Sequence, residues 1–230
     1  MMSDVVACKN ITKVYQQGTL DVKALDDVTI SVKSREFVSL YGPSGSGKTT
    51  LLNLIGTLDR PTSGEISLDC ERVDSKSNSE LAVLRLKKIG FVFQAYNLIP
   101  VLTAQENVEF VMQLQGVSRA ERAELANNIL NEVGLKGLGN RRPSELSGGQ
   151  QQRVAVARAI VSKPSLVLAD EPTANLDSTT ATELLELMLR MNEQHGTTFI
   201  FSTHDPIVMK YAKRLVQLKD GKVVHDRENS

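Results

Sequence analysis

The residues Gly42-Pro43-Ser44-Gly45-Ser46-Gly47-Lys48-Thr49 satisfy the pattern GxxxxGK[ST] in full, and Thr50 continues the run. The apolar stretch Phe37–Tyr41 precedes them and Leu51, Leu52, Leu54 and Ile55 follow, so the loop lies between an expected strand and an expected helix, the setting this motif requires. Glycines allow a tight backbone whose successive N–H groups point at phosphate oxygens, and the helix N-terminus adds a favourable field. Lys48 has the reach for the β and γ phosphates of a nucleotide, and the Thr49 hydroxyl can hold Mg²⁺. The plain alternative is a glycine-rich surface turn. Asp170 ends the apolar run 166–169, and Glu171 follows it. A carboxylate at the C-terminal end of a buried strand points into the crevice where such sheets bind ligands. Asp170 is therefore a magnesium group, and Glu171 is placed to polarise a water for attack on a γ-phosphate. By itself, a solvated acidic pair would explain these two residues equally well.

These groups need a frame to hold them, and the chain supplies an alternating one. Residues 5–7, 28–32 and Phe37–Tyr41 read as strands, and Pro61-Thr62-Ser63-Gly64 marks a turn before a short strand over residues 65–68. From about residue 103 to 159 apolar positions recur at helical spacing. SRAERAELANNILNEVG (118–134) is the clearest helix, with Ser118 and Glu121 as a capping box and Gly134 as its stop. Leu125, Ile129 and Val133 share one face of it. A strand over SLVLAD, a helix over 178–191, a strand over TFIFST and a hairpin turning at Asp220-Gly221 complete the pattern. The expected architecture is a mixed, largely parallel sheet with hairpin additions, interrupted by a helical insert. Its divisions fall at residues 1–94, 95–160 and 161–230.

Composition narrows the classes. Lys+Arg and Asp+Glu both number 27 in 230 residues, and the resulting neutral balance argues against a general nucleic-acid binder. Cys8 and Cys70 form neither a metal-ligand spacing nor a disulfide framework, which suits a reducing compartment. The opening MMSDVVACKNITKVY lacks the basic start and apolar run of a secretion signal, and only a short polar tail follows Val224. The region from Leu98 to Leu114 is broken by Pro100, Gln105, Glu106, Asn107 and Glu109, and no stretch spans a bilayer. A membrane role then requires a separate membrane-spanning partner.

Leu146-Ser147-Gly148-Gly149-Gln150 adds a second element of phosphate chemistry. Ser147 can cap the helix running through Arg153, Ala155 and Ala159, and Gly148 and Gly149 leave its first amides uncovered. An ordinary serine-capped helix is the plain alternative. With LADEPTANLD (168–177) and the phosphate loop, in this order, the chain resembles the ATP-binding subunits of ABC transporters over nearly its whole length. The resemblance implies an α/β P-loop NTPase with a RecA-like core, an antiparallel β subdomain and an inserted helical subdomain. It implies that ATP and Mg²⁺ bind, and that Ser147, Gly148, Gly149 and Gln150 serve the ATP held by an opposite subunit in a pair. Tyr15 stands where the family places its adenine-stacking aromatic. Gln94, after the strand 90–93, matches the glutamine that touches Mg²⁺ or the attacking water, so it joins Thr49 and Asp170 as a metal residue. His204 matches the switch histidine, and Asp177 matches an interface aspartate that can also cap the helix beginning at Ser178. Lys48, Gln94, Glu171 and His204 form the expected catalytic set. The chain departs from the family at Arg35-Glu36, where many members have Gly-Glu.

The stretches YQQGTLDVKALDDV, GTLDRPTSGEI, FVFQAYNLIPVLTAQENV and RRPSELSGGQQQRVAVARAI look like the lipoprotein-release and macrolide-efflux group. This resemblance implies a membrane subunit with few spans and a large extracytoplasmic domain, and a peripheral site on the cytoplasmic face of the inner membrane. Tyr96, Leu98, Ile99 and Leu102 are expected to offer the partner an apolar groove. A cell-division ATPase, an importer subunit, a soluble ATPase of the same class and a non-hydrolysing regulatory subunit are the competing readings. The unbroken Glu171 and His204 weigh against the last of these.

Overall fold

The structure, a computed structural model, describes residues 4–18 and 20–229. Its elements are β1 (Asp4–Gln17), β2 (Leu20–Lys33), β3 (Phe37–Tyr41), α1 (Lys48–Ile55), β4 (Ser63–Leu68), β5 (Glu71–Arg72), α2 (Asn78–Lys88) and β6 (Ile89–Phe93). There follow α3 (Ala104–Leu114), α4 (Arg119–Glu132), α5 (Gly148–Ile160), β7 (Leu166–Asp170) and α6 (Ser178–His195). The chain ends with β8 (Thr198–Thr203), α7 (Pro206–Tyr211), β9 (Arg214–Lys219) and β10 (Lys222–Glu228). Strands β2-β1-β4-β5 form an antiparallel sheet. The second sheet has the order β10-β9-β3-β8-β7-β6, in which only β10 runs antiparallel to its neighbour.

The parallel strands are apolar on both faces, as a sheet covered on both sides must be. Alternation sends Val38, Leu40, Leu166, Leu168 and Ile200 to one apolar core with α1 and the antiparallel sheet. Phe37, Val167, Ala169, Phe199 and Phe201 face the other core, shared with α3, α4, α5 and α6. There the Phe37 and Phe201 rings lie 4.6 Å apart at a 53° tilt, the offset geometry aromatic pairs favour.

Local differences from the sequence reading have physical causes. β1 and β2 each run 14 residues, far beyond 5–7 and 28–32. Their pairing slips in register around Ile11, and Asn10 and Asp27 take positive φ while Asn10 Nδ2 donates to Asp27 Oδ1 at 2.8 Å. Bulges of this kind break the two-residue alternation that marks a strand. Helix α6 continues to His195, four residues past the expected end, until Gly196 adopts a left-handed φ of 67°. In α4 only half of the expected capping box forms: Ser118 Oγ accepts from the Glu121 amide at 3.3 Å. The α2 helix, with a full Ser77–Glu80 box, and the short α7 were not read from the pattern. Asp220 and Gly221 both have positive φ, as the tight β9–β10 hairpin requires. Arg35 has φ 69° in the turn where its amide hydrogen donates to Thr198 Oγ1. The family's glycine thus maps to a backbone that suits glycine.

Candidate active site

The parallel register fixes where the chemistry gathers. Tyr41 pairs with Thr203, Asp170 with Ser202, and Phe93 with Asp170. Four neighbouring strands therefore end at one sheet edge, and the residues that follow them are Gly42, His204, Glu171 and Gln94. This is the crevice at the carboxyl ends of strands where open α/β sheets bind ligands. A cavity of about 520 Å³ there is lined by Pro43, Gly45, Lys48, Thr49, Gln94, Glu171 and His204, together with Ser44, Gly47 and Thr50.

The phosphate loop wraps the start of α1. A Cβ on Gly42, whose φ is 149°, would lie 2.1 Å from the Leu218 carbonyl oxygen, so the loop must carry glycine to lie against β9. Gly47 is the α1 N-cap and has no side-chain cap bond. The helix end thus keeps its field directed into the cavity. Lys48 is buried and Nζ donates to the carbonyls of Gly42 and Pro43, both at 2.9 Å. Ser46 Oγ is buried without a hydrogen-bond partner among the described residues.

Thr49 Oγ1 donates to Asp170 Oδ1 at 3.1 Å. A hydroxyl beside a carboxylate at the mouth of a phosphate loop is the hard-oxygen donor set that Mg²⁺ takes together with nucleotide phosphates. Among the described residues no three His, Cys, Asp or Glu side chains cluster as a metal site, so the geometry suits a shared ion, not a protein-only cage.

Glu171 has φ 46°, and its amide donates to the Ser202 carbonyl at 2.9 Å. Thr203 Oγ1 donates to Glu171 Oε2 at 3.0 Å, and His204 Nδ1 lies 2.6 Å from Oε1. A carboxylate only accepts, so Nδ1 is the donor and Nε2 is turned away from Glu171. The carboxylate is held from both sides while the imidazole stays largely exposed. The Gln94 carbonyl accepts from Asn175 Nδ2 at 3.0 Å. Thr203 and Asn175 were not singled out from sequence, though each stands inside a motif that was.

The remaining candidates lie outside this cavity. The Tyr15 hydroxyl donates to Asp59 Oδ2 at 2.8 Å, and Lys13 Nζ sits 4.7 Å from the ring centroid. Burial and then the Asp59 carboxylate raise the Tyr15 pKa above the ordinary phenol range. Burial opposes ionisation of Asp59, but Lys13, Tyr15 and the Arg60 amide hold its pKa below the ordinary value. Ser147 caps α5 and forms a full box with Gln150: the Gln150 amide donates to Ser147 Oγ at 3.3 Å, and the Ser147 amide to Gln150 Oε1 at 2.9 Å. Asp177 caps α6 through the Thr179 and Thr180 amides and accepts from Thr180 Oγ1 at 2.6 Å. The Thr180 hydroxyl and then its amide hold the Asp177 carboxyl pKa below its usual range. Ser147, Gly148, Gly149, Gln150 and Asp177 do not line the cavity of their own chain.

Phosphate loop, acidic strand end and parallel sheet together define a P-loop nucleoside triphosphatase with a RecA-like core. The model of the ABC transporter family matches residues 25–174. The chain is 45% identical over 228 residues to the ABC transporter ATP-binding protein MJ0796 of Methanocaldococcus jannaschii, covering 97% of each. It is 47% identical over 220 residues to the macrolide export ATP-binding/permease protein MacB of Syntrophobacter fumaroxidans, covering 95% of this chain and 31% of that longer protein. A dimeric, post-hydrolysis structure of the MJ0796 cassette bound to ADP and Pi superposes with a TM-score of 0.90 at 44% identity, covering 97% of this chain and 98% of that one. The chain belongs to the ABC transporter family, as an ATP-binding, ATP-hydrolysing subunit. Among the described residues no helix is long and apolar enough to cross a membrane.

Proposed function

We propose that two copies of this chain close around two ATP molecules and hydrolyse them to drive a separate membrane subunit. The observation that carries this is the convergence of Lys48, Thr49, Gln94, Glu171 and His204 on one cavity, while the Ser147 helix end stands away from it. In this reading residues 42–50 cradle the phosphates, Tyr15 faces the adenine, and Thr49, Asp170 and Gln94 hold Mg²⁺, which supplies charge neutralisation at the phosphates. Glu171 orients the attacking water, steadied by Thr203. His204, oriented by Glu171, meets the γ-phosphate through its outward nitrogen. Ser147, Gly148, Gly149 and Gln150 of the second copy complete the site, and Asp177 orders the interface between copies.

A groove of about 600 Å³ supports a docked partner. Its walls include Leu86, Phe91, Val111 and Leu114, and Arg85 and Arg158 lie in it with no carboxylate among the lining residues. Burial lowers the pKa of the Arg158 guanidinium, which donates to the Tyr96 and Asn97 carbonyls. A partner segment that is apolar and carries an acidic residue fits this lining. Of the four residues expected to form such a groove, Leu98 packs against the core, and none of Tyr96, Leu98, Ile99 or Leu102 lines it. We assign the partner to the few-span type with a large extracytoplasmic domain, which places this chain peripherally on the cytoplasmic face of the inner membrane. The likeness to an export protein supports that choice. We also divide the chain at residues 94 and 160, with α3, α4 and α5 as the inserted subdomain.

The test is Glu171→Gln. It spares the phosphate loop and is expected to bind ATP, lose turnover by about 10²–10⁴-fold and accumulate as a dimer with Mg-ATP in analytical ultracentrifugation. A variant with ATP bound that stays monomeric at high concentration counts against the paired arrangement.

A further inference from the structure

Helix α5 buries one polar side chain among its apolar ones. Gln152 is fully buried, while Val154, Ala155, Val156 and Ala157 around it pack as ordinary core. Gln152 Nε2 donates to the Pro172 carbonyl at 2.7 Å and to the Phe93 carbonyl at 3.4 Å. Its Oε1 has no hydrogen-bond partner among the described residues. The orientation follows from chemistry: both neighbouring groups are acceptors, so the NH₂ end must face them. An unpaired buried acceptor carries a desolvation cost, which a methionine or leucine of similar size would avoid.

The two carbonyls show what the amide does in return. Phe93 immediately precedes Gln94, and Pro172 immediately follows Glu171. One amide thus spans the two loops that carry the water-handling pair, and Asn175 ties the same loops through the Gln94 carbonyl. Pro172 offers no N–H of its own to anchor the turn. Gln152 also lies five residues beyond Ser147 on the same helix. One helix therefore carries both the Ser147 cap and the amide that bonds the two loops.

We propose that Gln152 is a positioning residue that sets the separation of Gln94 and Glu171 and keys it to the Ser147 helix. The proposal rests on the ATPase reading above. Gln152 does not line the cavity of the phosphate loop, and its hydrogen bonds go to Phe93 and Pro172, so its loss is expected to alter turnover and leave nucleotide binding alone. A mismatch of about 1 Å between reacting groups costs on the order of 10²-fold in rate.

The experiment is Gln152→Met, which keeps length and volume but cannot donate, measured beside the wild-type protein with Mg-ATP. Expected are a fall in kcat of about 10- to 100-fold, an ATP dissociation constant within about twofold, and a thermal midpoint close to the wild type, because removal of the orphaned oxygen offsets loss of the donor to the Pro172 carbonyl. Combined with Glu171→Gln it still forms the ATP-bound dimer, which places the defect in chemistry and not in assembly. Wild-type kcat in the methionine variant overturns the proposal. So does a kcat loss that tracks a lowered midpoint or a weakened ATP affinity, since that is the mark of a merely structural residue. Gln152→Leu is the second variant, and failure of both to fold also overturns it. If the wild-type protein itself does not hydrolyse ATP, the ATPase reading fails and this proposal falls with it, whereas a hydrolysing wild type beside an unimpaired Gln152→Met variant overturns this proposal alone.

Discussion

Two helix N-termini in this molecule are built from small residues and suited to anions, yet they are finished differently. Helix α1 starts at Gly47 with a left-handed backbone and no side-chain cap. Helix α5 starts at Ser147 with a full capping box that already engages the Ser147 and Gln150 amides. The first faces a cavity lined by Lys48, Glu171 and His204, and the second does not. A helix end that satisfies itself is stable while solvent-exposed, whereas one left open depends on its surroundings for partners. The difference suggests a division of labour: α1 holds a nucleotide within its own chain, and α5 is maintained ready for one brought from outside. It also shows that Gly149 has an internal duty. A Cβ there would lie 2.5 Å from Thr180 Cγ2, so the residue that uncovers α5 amides also lets α6 approach.

The largest expected effect breaks the α1 side. Lys48→Ala removes a buried cation among phosphate-binding amides and is expected to lower turnover by at least about 10²-fold, with weakened ATP binding. The comparison is sharpened by mixing this subunit with Ser147→Ala. If the two helix ends serve different nucleotides, the mixed dimer contains one site with both defects and one with neither, and measurable ATPase activity returns when two inactive preparations are combined. Mixed protein as inactive as its parents, with heterodimers demonstrated, counts against the division.

A smaller effect separates the two duties of Gly149. Gly149→Ala presses on Thr180, whose side chain is held by its 2.6 Å bond to Asp177, and overpacking of this kind costs about 1–3 kcal/mol. Adding Thr180→Ser removes the offending methyl and keeps the hydroxyl. The double variant is expected to recover its thermal midpoint in calorimetry but only part of its turnover, because the new methyl still covers the helix end. Full recovery of turnover would sink the reading of α5 as a phosphate site and leave Gly149 a packing residue.

The contrast also explains what the sequence made readable. The phosphate loop is contiguous: strand, glycines, Lys48 and helix stand in order, so pattern and function coincide. Glu171, His204 and Gln94 each follow a strand, and strands of continuous apolar residues are recognisable. That they meet depends on strand order, which no local pattern states; only their shared role came through family resemblance. Tyr15 was placed by distance along the chain, and its tie to Asp59 joins residues 44 apart. Gln152 was unreadable, because a glutamine in a helix full of glutamines looks like a solvated face until burial is known. The groove proposed above for a partner lies beside the segment expected to form one, and none of Tyr96, Leu98, Ile99 or Leu102 lines it. Tyr96 and Asn97 adopt positive φ, and a chain that turns there does not present consecutive side chains to one surface.

The smallest expected effect concerns the rim near Tyr15, and it depends on pH. Asp59 accepts from the Tyr15 hydroxyl and pairs with Lys13 at 2.8 Å. Its pKa is lowered in the folded protein from the ordinary value of 3.8. A lowered carboxylate pKa means the unfolded chain binds the proton more readily, so stability increases as pH rises through this range. The contribution is fully present above the ordinary value and is lost as pH falls below it through the folded value. Because the group is partly exposed, solvent screening keeps it at about 1 kcal/mol or less. Asp59→Asn should therefore be slightly less stable than the wild type at pH 7 in urea unfolding, and the gap should close on acidification below about pH 4. The amide introduced by Asp59→Asn keeps an acceptor for the Tyr15 hydroxyl but loses the charge that pairs with Lys13, so the Tyr15 ring is held less firmly while Lys48 and the phosphate loop stay as they were. ATP affinity is then expected to weaken by about fivefold or less with kcat unchanged, since one aromatic contact is worth about 1 kcal/mol. An Asp59→Asn variant with a stability gap that persists at pH 3 would show that packing of the Tyr15 hydroxyl, and not the charge on Asp59, holds this rim together.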